Sequence, residues 1–265
     1  KVFIFLLLVG TLFVVNFICK KNGLSKDSTY TVFFFLLYLL FFPSLFDNLK
    51  IVAANVFLLL ALRRLLSLQS LKASKEKIFD ASLWIFMAAL FQFWSILYIL
   101  LVFISVIFHV SRDYRNWVIP FIALFAVSIL FVACSLIFDI SSIAFLKESS
   151  RIDLSLDYFT NNYQNAAFSI YITVALFFVI STFSTLSSRP LVLLSSYKKV
   201  IASFFIGILV FILSVNKSNE TLVFTFAPLA IMATTQIEIS QPKLKEEIVI
   251  FVFLACSLFA FFSQL

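Results

Sequence analysis

The chain has 265 residues, 63% of them hydrophobic and 12% charged, with a mean hydropathy of +1.10. A soluble domain carries about 25% charged and about 45–50% apolar residues, so the composition excludes a water-soluble globule and describes an integral membrane protein. The net charge of +7 does not mark a nucleic-acid binder, because the cations sit in short loops between apolar runs, where membrane topology places them.

The first residue is Lys1 rather than Met, from which we expect a further N-terminal helix ahead of it. Ten apolar segments follow, at residues 2–19, 31–46, 51–62, 81–93, 95–110, 117–138, 166–186, 200–215, 221–237 and 248–262. The fourth and fifth come from one uncharged run, 81–110. As a single helix it would extend about 45 Å, against the ~30 Å of a bilayer core. It is therefore read as two short helices with a turn near Gln92–Ser95. The third segment is short, and the apolar stems of Arg63 and Arg64 would extend it toward the interface. No repeat and no Gly/Ser- or Pro-rich linker interrupts the chain, so one transmembrane domain, 1–265, is expected. The fold class is all-α and polytopic, with about ten hydrophobic helices, several of them short and paired as hairpins.

The loops after odd-numbered segments hold Lys20, Lys21 and Lys26; Arg63, Arg64, Lys72, Lys75 and Lys77; Arg112 and Arg115; Arg189, Lys198 and Lys199; and Lys243 and Lys245. Those after even-numbered segments hold Lys50, Lys147, Arg151 and Lys217. This fifteen-to-four bias is the positive-inside pattern. It puts the first set in the cytoplasm and the C-terminus outside. The longest outer loop is then 139–165, in which "IDLSLDYF" alternates without deciding between strand, coil and interfacial helix. Pro120 and Pro228 fall inside apolar runs and are expected to kink them.

Motifs that carry chemistry are scarce. The chain has no Gly-rich phosphate loop, HExxH, CxxC or GxSxG. Its single His109 lies at the cytoplasmic boundary and cannot build a multi-His metal site. Cys19, Cys134 and Cys256 have no ligand spacing and read as buried apolar residues. No metal and no cofactor is expected. Asn16, Asn55 and Gln92 are the main polar groups of the apolar runs, attributed to interhelical hydrogen bonding. The scarcity of intramembrane charge argues against a proton- or sodium-coupled transporter.

Two groups of residues remain as candidates. Asp47, in "FFPSLFDNLK", is an outer-face carboxylate suited to general-base or metal-ligand work; alternatively Asp47 and Asn48 only cap the next helix. On the cytoplasmic side Arg63, Arg64, Lys72, Lys75, Lys77, Arg112 and Arg115, with Trp84 and Trp117 as interfacial anchors, would meet anionic lipid or a partner, or record topology alone. Asp80 and Asp113 are expected to pair with some of these cations. The N-x-S/T matches at Asn216 and Asn219 are read as chance.

The stretches "NVFLLLALRRLLSLQSLKASKEKIFDASLWI", "ALFQFWSILYILLVF" and "RNWVIPFIAL" together resemble an uncharacterised family of polytopic inner-membrane proteins from Bacteroidota, a domain of unknown function. The likeness is strongest over 20–124. It implies a bacterial cytoplasmic membrane and supplies no catalytic residue. "FFPSLFDN" followed by "RRLLSL" also resembles the layout of GT-C lipid-linked glycosyltransferases. The chain departs from that class in showing no large acidic loop after its first helix.

Three functions follow as expectations. The first is a non-catalytic structural or assembly subunit of a larger cell-envelope complex, its partners being membrane lipids and other envelope membrane proteins. The second is an enzyme or carrier for a polyprenyl-linked glycan, with Asp47 at work and 139–165 covering the ligand. The third is an uncoupled lipid transporter.

Overall fold

A computed structural model of the chain describes residues 1–26, 29–139, 141–153, 161–215, 217–239 and 243–264, with 239 and 243–246 described by main chain alone. Among the described residues all regular structure is helical: eleven α-helices and five 3-10 turns. Most of "IDLSLDYF" lies outside the described residues, as do Asn216 and Pro242.

Helix α1 (Val2–Asn22) ends where Gly23 takes a left-handed conformation, φ 60°, and its N–H bonds the Cys19 carbonyl; Lys20 and Lys21 sit in the last turn against the negative helix end. Helix α2 (Thr29–Leu40) is shorter than its apolar segment. The chain leaves the helix before Pro43, which opens a 3-10 turn, Pro43–Asp47. Asn48 then caps α3 (Leu49–Leu66), its Oδ1 accepting from the Ile51 N–H at 3.3 Å. The helix itself continues through Arg63 and Arg64, so the segment that looked short crosses about 27 Å.

Helix α4 (Ser74–Phe91) stops where Gln92 is extended, φ −134°. A 3-10 turn, Phe93–Tyr98, leads into α5 (Ile99–His109). The break falls where the overlong apolar run requires one. Helices α6 (Arg115–Ile137), α7 (Ser142–Ser149), α8 (Asn162–Thr185), α9 (Leu191–Leu213), α10 (Val223–Ile239) and α11 (Lys243–Gln264) complete the chain. The 139–165 segment is thus in part helical, through α7 and the start of α8. Pro120 and Pro228 lie within α6 and α10.

Seven helices are long and apolar enough to cross a membrane, and Thr29–Leu40 and Phe93–His109 are shorter apolar helices. The protein is a multi-pass helical membrane protein. Helix α4 falls outside the seven because Lys75, Glu76, Lys77 and Asp80 crowd its first two turns.

The core is built around α10, where every residue from 221 to 235 is buried. Helix α2 packs beside it and supplies the aromatic centre. Tyr38 meets Phe253 of α11 at 4.9 Å and Phe226 of α10 at 5.8 Å; Phe42 stacks on Phe226 at 6.2 Å, and Phe34 on Phe253 at 5.6 Å. In lipid these rings gain little from leaving an already apolar solvent. Close packing is what holds them. Helix α6 lies outside, seated on α4 through Ala123, Val127 and Phe86. The rest of its surface, including Phe121, Phe125, Ile129 and Leu136, is exposed and apolar. Cys134 is exposed on this helix and Cys256 half-buried, so only Cys19 is a buried cysteine. Close helix approach and an outward-facing helix, rather than concealment, accommodate the other two.

Candidate functional site

Two ends of the bundle carry the polar chemistry. At the first, Gln92 interrupts α4 and donates from Nε2 to Ser214 Oγ (2.7 Å), just beyond the end of α9. Asn48, besides capping α3, donates from Nδ2 to Glu220 Oε2 (2.6 Å) in the turn before α10. The Ser44 hydroxyl also bonds the Glu220 carboxylate. Gln264, near the end of α11, donates from Nε2 to the Phe41 carbonyl (2.8 Å). These contacts hold four chain turns in register around a depression.

The depression has two parts flanking the 218–221 turn. The larger, about 440 Å³, is lined by the aromatic residues Phe91, Phe93, Trp94 and Phe145 together with the polar residues Asn48, Lys50, Gln92, Glu148, Ser149, Ser218 and Thr221. The smaller, about 170 Å³, is lined by polar residues alone: Ser44, Gln164, Lys217, Ser218, Asn219, Glu220 and Gln264. Helix α7 forms a wall of the larger part through Phe145, Glu148 and Ser149. The Trp94 Nε1–H donates to the Arg151 carbonyl beyond α7 (3.2 Å), which fixes the indole beneath that wall. Asn219 is buried, with Nδ2 donating to the Gln164 carbonyl, so its glycosylation motif is not presented to solvent.

Asp47 stands at this end but outside both cavities. It pairs with Lys1 at 2.9 Å and its side chain is 64% exposed. Asn48 alone, not Asp47, supplies the cap. The carboxylates placed at the cavities are Glu148, on the wall of the larger part, and Glu220, in the smaller.

The opposite end is basic, and the structure sorts its cations. Arg64 pairs with Asp80 (2.9 Å) and Lys75 with Asp113 (3.3 Å). Lys77 donates to the Ser67 carbonyl and to Ser70 Oγ, each at 2.7 Å. The Arg115 main-chain N–H, aided by Lys75, holds the Asp113 carboxyl below its ordinary pKa. The guanidinium of Arg63 lies over the Phe17 ring at 4.4 Å, and that of Arg115 beside Tyr114 at 5.9 Å. Lys72 and Arg112 are exposed. Trp117 donates to the Ser111 carbonyl (3.3 Å) at the start of α6. Trp84 instead stacks on Phe57 at 5.6 Å, ten residues or about 15 Å along α4.

Lys199 is fully buried. Helix α9 begins directly after Pro190, so Lys198 and Lys199 are helical rather than part of a loop. Lys199 Nζ donates to the Leu65 carbonyl in the last turn of α3 (2.7 Å) and lies 3.1 Å from Nε2 of His109, the last residue of α5. It thus joins two helix C-termini, whose negative ends favour a cation. The expectation that interhelical bonds absorb the polar residues of the apolar runs holds for Gln92. It fails for Asn55 Nδ2 and Asn16 Oδ1, which have no hydrogen-bond partner among the described residues.

A family model described as a family of unknown function, DUF6427, matches residues 1–265. The chain belongs to the DUF6427 family. The match carries no organism and no glycosyltransferase assignment. No curated protein and no solved structure matches the chain.

Three residues of this DUF6427 protein escaped the sequence reading. Glu220 sits in "NKSNET", where a lone carboxylate inside a glycosylation pattern carries no catalytic motif of its own. Trp94 lay inside an uncharged run and carried no signal beyond being aromatic. Lys199 did carry one. Pro190 marks a helix start, and from it Ser196, Lys199, Ser203 and Gly207 fall at helical spacing on one small-residue face, all four buried. Small residues at that spacing mark helix contact, so a lysine among them is an interior lysine.

Proposed function

We propose that this protein is a non-catalytic membrane carrier that holds the polar head of a polyprenyl-linked glycan at the outer face of a bacterial cytoplasmic membrane. The observation that carries the reading is the 440 Å³ cavity, whose lining combines aromatic rings with amides, hydroxyls, Lys50 and Glu148. The volume falls in the range of ligand sites, about 300–1,000 Å³. Trp94 offers a face for a sugar ring. Asn48, Gln92 and Thr221 offer hydrogen bonds to hydroxyls, and Lys50 a charge for a phosphate.

The basic end is assigned to the cytoplasm by the positive-inside rule. Ten crossings are counted when α2, α4 and the Phe93–His109 pair join the seven long helices, which puts the C-terminus outside with the cavity. The GT-C likeness would make the same cavity a donor site. Binding without chemistry is preferred because Asp47 lies outside it, Glu220 is held by Asn48 and Ser44 in the smaller part, and Glu148 is the single carboxylate among the described residues lining the larger, with no second one beside it for paired acid–base work. A carrier of this kind would work beside the envelope proteins that make or use its ligand, which retains the expectation of a larger complex.

Trp84→Phe combined with Trp117→Phe leaves Trp94 as the only indole. Titration with a short-chain polyprenyl-diphosphate disaccharide should shift its emission saturably, and the free disaccharide should bind at least about tenfold more weakly, having lost the lipid and phosphate contacts. Gln92→Ala should weaken binding by a further factor of about ten, from one lost polar contact. An emission insensitive to the lipid-linked sugar would overturn the reading.

A further inference from the structure

The basic end holds a second feature that topology alone does not account for. Phe13, Phe17 and Lys21 follow one another at i, i+4 and i+8 on one face of α1. Phe13 is 69% and Phe17 41% exposed, so the face is open. At its basic end Lys21 Nζ lies 5.2 Å and Arg63 Cζ, from α3, 4.4 Å from the same Phe17 ring. Neither Lys21 nor Arg63 forms an ion pair among the described residues, whereas Arg64 and Lys75 are neutralised by Asp80 and Asp113.

A single cation in the last turn of a helix answers the helix dipole. Two cations from two helices converging on one exposed ring repel each other, and an anion between them would relieve that repulsion. Lys77 adds to the excess, lying within electrostatic range of Lys21, Arg64 and Lys72. The ring and Phe13 above it continue the site into the apolar zone. The arrangement is amphipathic in the sense a lipid is: apolar toward the bilayer centre, dicationic at the boundary.

We infer that the α1–α3 corner binds one anionic phospholipid of the cytoplasmic leaflet, its phosphate between Lys21 and Arg63 and an acyl chain along Phe17 and Phe13. The site is independent of the cavity at the other end, which lies about 21 Å from Arg63 along α3. It narrows the candidate lipid contacts from seven cations to Arg63 and adds Lys21.

The test is native mass spectrometry of the purified protein in detergent, mixed in turn with phosphatidylglycerol, with phosphatidylcholine and with inorganic phosphate alone. Phosphatidylglycerol should bind at least about tenfold tighter than phosphatidylcholine, the scale expected of two boundary cations. The preference should fall to parity in Lys21→Gln/Arg63→Gln and persist in Arg112→Gln/Arg115→Gln, which removes the same charge elsewhere on that end. Lys21 is exposed, so Lys21→Gln alone leaves the packing intact and should lose several-fold of the preference. An unchanged preference in Lys21→Gln, or equal loss in both double variants, would overturn the site in favour of bulk charge. Displacement of the lipid by inorganic phosphate alone would overturn it in favour of a free-ion site.

Discussion

Lys199 shows how one residue can carry several opposing terms. Burying an ammonium is costly, and among the described residues no carboxylate repays the cost. Repayment comes from the Leu65 carbonyl, from His109 Nε2 and from the negative ends of α3 and α5. Lys199→Met keeps the stem and removes charge and contacts together. It should cost about 1–2 kcal/mol, because the lost carbonyl bond is partly offset by relief of desolvation. Lys199→Glu sets a carboxylate against the same carbonyl and helix ends and should cost more than about 3 kcal/mol. Thermal unfolding in detergent checks both; equal losses would mean that the site senses size and not charge sign. The same residue weakens an argument made from the sequence. A chain with a buried lysine beside its only histidine is not devoid of intramembrane charge, although among the described residues no carboxylate pairs with it to form a relay.

At the scale of elements, α9 makes a close crossing with α10 and the Phe93–Tyr98 turn at Gly207. A Cβ at Gly207 would meet Thr225 Cγ2 at 2.7 Å and Tyr98 Oη at 3.0 Å, and the Tyr98 hydroxyl lies 3.1 Å from the Phe224 carbonyl. Gly207→Ala should therefore cost about 1–3 kcal/mol by overpacking. Gly10→Ala, where nothing lies within 4 Å, should be neutral or slightly stabilising, as Ala is the better helix former. A chemical unfolding series on the two variants distinguishes them, and equal effects would show that Gly207 is not a packing contact. The break at Gln92 was legible because an uncharged run of that length has nowhere to go in a bilayer. The start of α9 was not read correctly, because hydropathy stops at the two lysines while Pro190 and the small-residue face continue the helix. The cap at Asn48 was legible as a pair with Asp47, and only geometry separates the two: Asn48 faces Ile51 and Glu220, Asp47 faces Lys1. The cavity itself was not legible, since its lining comes from six separated stretches joined by long-range contacts such as Gln92–Ser214 and Asn48–Glu220.

For the whole molecule, charge is divided by end and by use. Cations at the basic end are partly spent on Asp80, Asp113 and helix carbonyls, while others, such as Lys72 and Arg112, are exposed. At the other end Lys50 and Lys217 line the cavities, and Lys147 and Arg151 lie on α7 and just past it, whose far side closes over Trp94. A bundle that only filled space between partners would have no need to gather its few outer cations, amides and aromatic rings into one depression. The most direct test places a photo-crosslinking amino acid at position 93, on the cavity wall, in cells that express the full-length protein, and identifies the adduct by mass spectrometry after irradiation. The account predicts a lipid-linked sugar attached at that position and absent when the probe is moved to position 125 on the exposed face of α6. Recovery of ordinary phospholipid alone at both positions would contradict it.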